Sequence, residues 1–385
     1  MYGKSRTSFD ILALKAAFHG TVFGFQRKSP IKTYLSTLFG KHMTILVTGG
    51  AGYIGSHCVQ QLIAAGQKVC VVDNLSRGHR EAVPPQASFF QIDLLDTEQL
   101  TDIMKSQRVE KVIHFAALAY VGESVENPLP YYSNNTAGTI SLLRAMRQSR
   151  VSQIVFSSSC ATYGIPANIP VTEDSPQSPI NPYGWSKLFI EQILSDCAHS
   201  YPNFGFIGLR YFNVAGCSHD GSLGEDHSPE THLIPNCLNT ALGKQPQVTV
   251  LGNDYPTEDG TCIRDYIHVE DICAAHLLAL NALTPDAHRF YNIGLGHGYS
   301  VLDVIKTTEQ VTGCEIPVEY HPRRPGDPPI LAASNEKISR ELGWSPRYSS
   351  LKEIIQTAWN WFQSHPHGYQ TKSSPASEHD AKDHS

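Results

Sequence analysis

A doubly wound parallel α/β sheet with a smaller mixed α/β substrate-binding lobe is the fold class that three features of this 385-residue chain predict. The first is a strand, glycine turn and helix at residues 44–66. The second is a succession of short apolar runs separated by helical stretches up to about residue 213, as a parallel sheet with crossover helices requires. The third is a change beyond that point, where segments shorten and proline, glycine and histidine become frequent, the texture of a lobe that supplies loops to a cleft.

The run Thr44-Ile45-Leu46-Val47-Thr48 is apolar and β-branched and reads as the first strand. It leads into Gly49-Gly50-Ala51-Gly52-Tyr53-Ile54-Gly55, after which Ser56 to Ala65 reads as a helix closed by Gly66. Glycine lets a backbone turn tightly and approach a pyrophosphate, whose charge then rests on the free N–H groups and positive end of the next helix. Gly49, Gly52, Tyr53, Ile54 and Gly55 are therefore candidate dinucleotide contacts. The following strand, Lys68 to Val72, ends in Asp73, near the ~20-residue offset at which an acid bonds the ribose hydroxyls of NAD. A carboxylate there repels a 2′-phosphate, so the expected cofactor is NAD rather than NADP. Asp73 and its neighbour Asn74 also suit a simple turn.

Lys111 to Phe115 and Gln153 to Phe156 are buried-strand runs. The stretch Pro130 to Gln148 separates them, with Leu142, Leu143 and Met146 at helical spacing. This alternation is that of a Rossmann sheet. The second strand delivers Ser157, Ser158 and Ser159 to the carboxyl edge of the sheet, where such folds place ligands; Ser159 is the candidate for chemistry, the other two for structure. Tyr183-Gly184-Trp185-Ser186-Lys187 then opens a helix running through Ile190, Ile193 and Leu194. Four residues of helix put Tyr183 and Lys187 on one face. An ammonium beside a phenol, joined by the positive nicotinamide ring, stabilises phenolate and lowers the pKa from about 10, which makes Tyr183 a general base near neutral pH.

With 41% hydrophobic residues the chain has enough apolar side chains for a substantial core. Nine scattered cysteines without a Cys-x-x-Cys pair point to a reducing interior, and a cytoplasmic location is expected. The net charge of −6 gives no basic surface for nucleic acid, and no apolar stretch is long enough to span a bilayer. Eighteen histidines show no His-x-x-x-His helix or similar cluster, so no metal is expected.

Residues 1–42 carry seven Lys or Arg against the single acid Asp10. They read either as an organelle-targeting presequence or as an extension preceding an effective start at Met43. Met43 stands directly before the first strand, which favours an extension outside the core. The expected organisation is then a cofactor domain over residues 43–213, a nucleotide-sugar lobe over 214–370 and a disordered polar tail over 371–385.

From about Met43 to Tyr369 the chain resembles the UDP-glucose 4-epimerases of the extended short-chain dehydrogenase/reductase family. The motifs TGGAGYIGSH, VVDNLSRG, HFAALAYVGESV, SSSCATYG, NPYGWSK, LRYFNVAG, LGNDYPTEDGTCIRDYIHV, RRPGD and HPHGY carry the resemblance. It implies NAD held throughout the cycle, with Asp73, Asn74, Asp93 and Leu94 near its adenosine end, Phe115 and Ala116 beside its pyrophosphate and ribose, and Tyr183 and Lys187 at its nicotinamide. It implies catalysis by Tyr183, Lys187 and Ser159. Ser159, Tyr183, Asn213, His232, Leu233, Arg264, Arg324 and Asp327 would hold a UDP-sugar, arginine suiting a diphosphate through its planar fork. A homodimer through helices around Pro130–Ser149 and Lys187–His199 is implied as well.

Departures from the family pattern bear on the sugar. Ala119 replaces a common lysine, His232 a common asparagine, and Leu331 stands at a gate where a bulky tyrosine excludes N-acetylated sugars. HFAALAYVGES, CATYG and GTCIRDYI also resemble plant-type UDP-arabinose (UDP-xylose) 4-epimerases, so a pentose substrate is the alternative. A sugar-nucleotide 4,6-dehydratase needs an acid after the active-site hydroxyl residue, where this chain has Cys160 and Ala161. A catalytically silent NAD sensor would be expected to lose the Tyr–Lys pair, which is intact.

Overall fold

The computed structural model describes residues 42–324 and 327–369, so the expectations for residues 1–41 and for the tail 371–385 lie outside the described residues. Strand β1 (Thr44–Thr48) is buried along its whole length, as its β-branched sequence requires of a strand covered on both faces. Helix α1 (Tyr53–Ala64) follows, and Gly66, at φ 78°, turns the chain into β2 (Lys68–Asp73). Next come β3 (Ser88–Gln91) and α2 (Thr97–Gln107), whose first turn is capped by Asp96 accepting from the Gln99 amide.

After β4 (Lys111–His114) the chain forms α3 (Val121–Glu126), α4 (Pro128–Tyr131), a π-turn over Tyr132–Ala137 and α5 (Gly138–Gln148). The continuous helix expected over Pro130–Gln148 is therefore interrupted. The wide turn contains Asn135, whose side chain accepts from the Leu118 amide and donates to the Leu118 carbonyl and to Ser186 Oγ, tying the cofactor-side loop to the next helix. Strand β5 (Gln153–Ser159) runs three residues past the expected end, because Ser157, Ser158 and Ser159 stay in parallel register with Leu209, Arg210 and Tyr211. Helix α6 (Pro182–Ser200), β6 (Gly205–Tyr211) and β7 (Asn213–Ala215) close this part.

The remaining elements are α7 (Leu233–Ala241), β8 (Val248–Leu251), β9 (Ile263–Arg264), β10 (Tyr266–His268), α8 (Val269–Ala282), β11 (His288–Ile293), β12 (Tyr299–Ser300), α9 (Val301–Thr312), β13 (Val318–His321), β14 (Ile330–Leu331), α10 (Glu336–Leu342) and α11 (Leu351–Ser364). The main sheet has the order β11-β6-β5-β4-β1-β2-β3 with every neighbouring pair parallel. The winding reverses between β1 and β4, which opens a crevice at their carboxyl ends.

The expected boundary at residue 213 does not hold for residues 266–293. Strand β11 pairs with β6 as the sheet's edge, and α8 shares one apolar core with β1 and α1, where Ile272, Leu277 and Leu280 join Ile45, Val47, Val59 and Leu62. A sheet ending at β6 would leave that strand's face and hydrogen-bonding edge uncovered. The smaller lobe has its own core, in which Ile234 and Leu238 of α7 meet Ile354, Ile355, Trp359 and Trp361 of α11.

Candidate active site

One cavity of about 1,090 Å³ runs from the glycine turn along the carboxyl edge of the sheet to the smaller lobe, slightly larger than is usual for a single small-molecule site. Gly49, Gly52, Tyr53, Ile54, Gly55, Asp73, Asn74, Leu94, Phe115 and Ala116 line one end; Ser159, Tyr183 and Lys187 lie on its wall; Asn213, His232, Leu233, Arg264, Arg324, Asp327 and Leu331 line the rest. Asp93 is the exception among the candidates: it reaches the cavity only through Asn74, which donates to its carboxylate at 2.8 Å.

The three glycines of the turn serve different ends. A Cβ on Gly49 would meet the Ala116 backbone nitrogen at 2.5 Å, and one on Gly55 the Gly49 oxygen at 2.1 Å, so both permit close backbone packing. A Cβ on Gly52 would meet nothing nearer than 3.4 Å in the protein, yet Gly52 lines the cavity. Its bareness leaves room for a ligand at the N-terminus of α1, and that cradle fits a dinucleotide pyrophosphate. Asp73 at the end of β2 accepts from the Ala51 and Leu75 amides, while burial raises its pKa. Gly52→Ala should therefore change stability by less than about 1 kcal/mol and lower NAD affinity by at least about tenfold, whereas Gly55→Ala should cost about 1–3 kcal/mol of stability through overpacking. Urea denaturation and NAD titration of the two variants, side by side, separate these outcomes.

Helix α6 starts at Pro182 with Asn181 Oδ1 accepting from the Gly184 amide at 2.8 Å. A Cβ on Gly184 would meet the Ala161 oxygen at 2.5 Å, so glycine allows the helix to press against the segment after β5. This brings Tyr183 to Ser159, whose hydrogen bond lowers the Tyr183 pKa; burial outweighs it and holds the phenol up at about 12. Lys187 is enclosed, donates to the Ser157 carbonyl at 2.8 Å and has its ammonium 5.9 Å from the Tyr183 ring centre. Burial lowers Lys187 to about 7, against the opposing pull of Glu191. The expected depression of Tyr183 is thus not a property of the chain by itself, because burial dominates and Lys187 is aimed at a carbonyl.

Behind Lys187 lies a polar network that sequence spacing did not reveal. Glu191 accepts from Ser158 Oγ at 2.6 Å and from Arg210 Nε and Nη2 at 2.9 and 2.7 Å, with both charged side chains almost fully buried. Ser158 is structural here, as expected. Ser157 hydrogen-bonds Tyr211, whose ring joins the cavity wall. In the smaller lobe Arg264 Nη2 lies 3.5 Å from Asp327, Arg324 Nε lies 4.0 Å from the same carboxylate, and Arg264 Nη1 donates to the Pro328 carbonyl. The neighbouring Asp265 is buried: its carboxylate accepts from the Leu295, Gly296 and Ala333 amides, while burial raises it to about 6. Two guanidinium groups converging on a cavity suit a diphosphate.

The expectation that histidines form no ligand cluster meets an exception among the described residues. Glu225, His227, Glu230 and His232 bring four ligand atoms within 4.8 Å of one another. They are spaced along a non-helical loop, so a search for helical His pairs passes over them. Burial lowers both imidazoles, but the two carboxylates raise His227 to about 9 and His232 to about 10. By contrast His114, held between Thr48 and Thr139, is lowered by burial to about 3 and is structural.

Comparison with known proteins gives the following likenesses. The family described as "NAD dependent epimerase/dehydratase family" matches residues 45–294. The chain is similar to UDP-glucose 4-epimerase of Lactobacillus helveticus, 49% identical over 331 residues covering 86% of this chain and 100% of that protein. It is 43% identical over 351 residues to "Probable UDP-arabinose 4-epimerase 3" of Oryza sativa subsp. japonica, covering 87% of this chain and 86% of that one. Its structure superposes on that of UDP-glucose 4-epimerase from Bifidobacterium longum in complex with NAD+ and UDP with a TM-score of 0.81, at 39% identity, covering 84% of this chain and 99% of that one.

Proposed function

The chain belongs to the NAD dependent epimerase/dehydratase family, and from that membership we infer that it is an NAD-dependent isomerase that reversibly epimerises a UDP-sugar at C4, interconverting UDP-galactose and UDP-glucose through a transient 4-keto sugar. One observation carries the reading: the glycine cradle, the Tyr183–Ser159–Lys187 group and the Arg264–Arg324–Asp327 group line the same cavity. NAD, when bound there, would supply a hydride acceptor and donor facing C4. Tyr183 takes the proton of the 4-hydroxyl and gives it back, with Ser159 sharing the hydroxyl. Since burial alone holds the phenol near 12, a nearby positive charge is required to make it a base at neutral pH. Gly49, Gly52 and Gly55 would hold the pyrophosphate, Asp73 the adenosine ribose with Asn74 and Asp93 behind it, and Lys187 the nicotinamide ribose.

Arg264 and Arg324 would grip the UDP diphosphate, with Asp327, Asn213, His232 and Leu233 completing the wall. Inversion needs the 4-keto sugar to present its other face, so the nucleotide must be held firmly and the sugar weakly, which is differential use of binding energy. Incubating the purified chain with UDP-galactose, UDP-xylose and UDP-N-acetylgalactosamine separately and resolving products by NMR tests the reading. Conversion of UDP-galactose to an equilibrium mixture supports it; reaction of the pentose alone moves the assignment to the UDP-arabinose/UDP-xylose 4-epimerase alternative, which the rice relative favours; no reaction by NAD-loaded protein rejects both. Leu331, buried against Tyr163 and Phe212 on the cavity wall, would set the tolerance for the N-acetyl group.

We further propose a homodimer. Val125 and Leu129 are 61% and 75% exposed, and the Trp185 and Phe189 rings pack at a tilt on the outer face of α6 with Tyr132 beside them, an apolar patch of the kind that marks an interface. Phe189→Glu together with Leu129→Glu should convert a dimer to monomer in sedimentation velocity, and an unchanged coefficient would reject this face. Among the described residues no helix is long and apolar enough to cross a membrane, and all nine cysteines are free, which supports a reducing interior such as the cytoplasm.

A further inference from the structure

Residues 218–232 form a loop between β7 and α7 that is fastened at several points. Ser218 and Leu223 bond each other, the Tyr369 hydroxyl accepts from the Gly224 amide, and Asp226 accepts from the Tyr369 amide. Glu230 Oε1 accepts from the Thr231 and His232 amides at 2.7 and 2.8 Å, which fixes its carboxylate. Within this frame His232 Nδ1 lies 2.8 Å from Glu225 and 3.2 Å from Glu230, and His227 Nδ1 lies 3.3 and 3.7 Å from the same two carboxylates.

Two part-buried imidazoles facing two carboxylates would ordinarily be an ion-pair cluster. The donor geometry argues otherwise: His227 Nδ1 and His232 Nδ1 are buried from solvent and neither makes a hydrogen bond, although oxygens lie at bonding range. The nitrogens are close to the oxygens but not aimed at them. A cation bonded at about 2.0–2.1 Å to four tetrahedral N and O ligands separates those ligands by roughly 3.3 Å; the His–Glu distances, His227 facing Oε2 and His232 Oε1 of Glu230, run from 2.8 to 3.7 Å, and one atom from each residue can be chosen with all four within 4.8 Å of one another.

We propose that Glu225, His227, Glu230 and His232 bind one divalent transition-metal cation of the zinc class, which fastens the 225–232 segment at the head of α7. Two imidazoles and two carboxylates are borderline N/O ligands that suit zinc and leave no thiolate preference. The site is closed rather than catalytic: all four ligands come from the protein, and the ring of Tyr120 packs edge-on against both imidazoles at 5.9 and 6.3 Å. The Thr231 and His232 amides on Glu230 supply the outer shell that orients that ligand. Since Glu225, His227, His232 and Leu233 line the cavity, the cation would rigidify the wall that faces the nucleotide sugar without taking part in proton or hydride transfer.

The test uses the full chain, purified without a polyhistidine tag, stripped by chelator and titrated with Zn2+ and with Co2+. About one equivalent per chain is expected, with a tetrahedral Co2+ absorption band and a thermal midpoint that rises with free Zn2+, as ligand linkage requires. The His227→Gln/Glu230→Gln variant keeps His232 and the catalytic group; it should lose the band and the midpoint rise, and bind Zn2+ more weakly by more than the roughly 10–100-fold that outer-shell changes cost. Circular dichroism and NAD retention check that the variant is folded. Absence of stoichiometric binding overturns the proposal, and so does binding that survives in the folded variant, which would place the cation elsewhere.

Discussion

Tyr183→Phe should leave the chain folded and able to retain NAD and a UDP-sugar, while lowering kcat by roughly 10²–10⁴-fold, the range for removal of a positioned acid–base group. The phenol hydroxyl is all that changes, and the ring keeps its place at the N-terminus of α6, which is set by the Asn181 cap and the Gly184 contact rather than by the hydroxyl. Lys187 lies one turn away, but its ammonium donates to the Ser157 carbonyl and cannot replace a base on the sugar. Ser159→Ala should be milder, since Ser159 assists the same proton while also capping the following turn through the Ala161 amide. Stopped-flow or NMR turnover, with NAD content measured on the same samples, separates loss of chemistry from loss of cofactor. A Tyr183→Phe protein with full activity would remove tyrosine from the mechanism.

Arg210→Met should destabilise the chain by about 3–5 kcal/mol, because it leaves the Glu191 carboxylate buried without its charge partner. Arg210 also donates to Tyr163 Oη at 2.9 Å, so the substitution removes a hydrogen bond from a second buried group. Adding Glu191→Gln to Arg210→Met should recover much of the loss, as removal of both members of a buried pair is often close to neutral. The recovered protein should remain slow, since Ser158 and the neighbourhood of Lys187 are set by Glu191. Urea denaturation of the single and double variants checks the stability, and an undiminished Arg210→Met midpoint would show that the pair does not hold α6 to β6.

Much of the cofactor end was legible because its constraints are local. Gly49, Gly52 and Gly55 lie within one turn, Asp73 terminates the next strand, and Tyr183 and Lys187 share a helix face, so spacing alone places each. The apolar runs at 44–48, 68–72, 111–115 and 153–156 fall in four strands of the main sheet because buried parallel strands are written as continuous hydrophobic stretches. What was not legible depends on contacts between distant segments. Glu191 meets Arg210 only after α6 folds back on β6, and Asp265 meets the amides of residues 295, 296 and 333. Strand β11 joins the main sheet across a gap of more than seventy residues from β6, which no periodicity records. Asn135 left only a faint sign, a polar pair in a helical stretch, whose reason is the loop it ties to Ser186. What opposes a lowered Tyr183 pKa was hidden for a similar reason: proximity to Lys187 could be read from spacing, but the burial that raises the phenol in the chain by itself could not.

In the proposed reaction one hydride leaves C4 of the sugar and returns to the same carbon by way of NAD, while Tyr183 carries only a proton. Deuterium placed at C4 of UDP-galactose tests it most directly, with the NAD-loaded chain in ordinary water and product UDP-glucose read by NMR and mass spectrometry. The product should keep its deuterium at C4, and unlabelled substrate turned over in D2O should gain none there. Washout of the label into solvent, or uptake of solvent deuterium at C4, would contradict it and point to inversion by deprotonation at carbon.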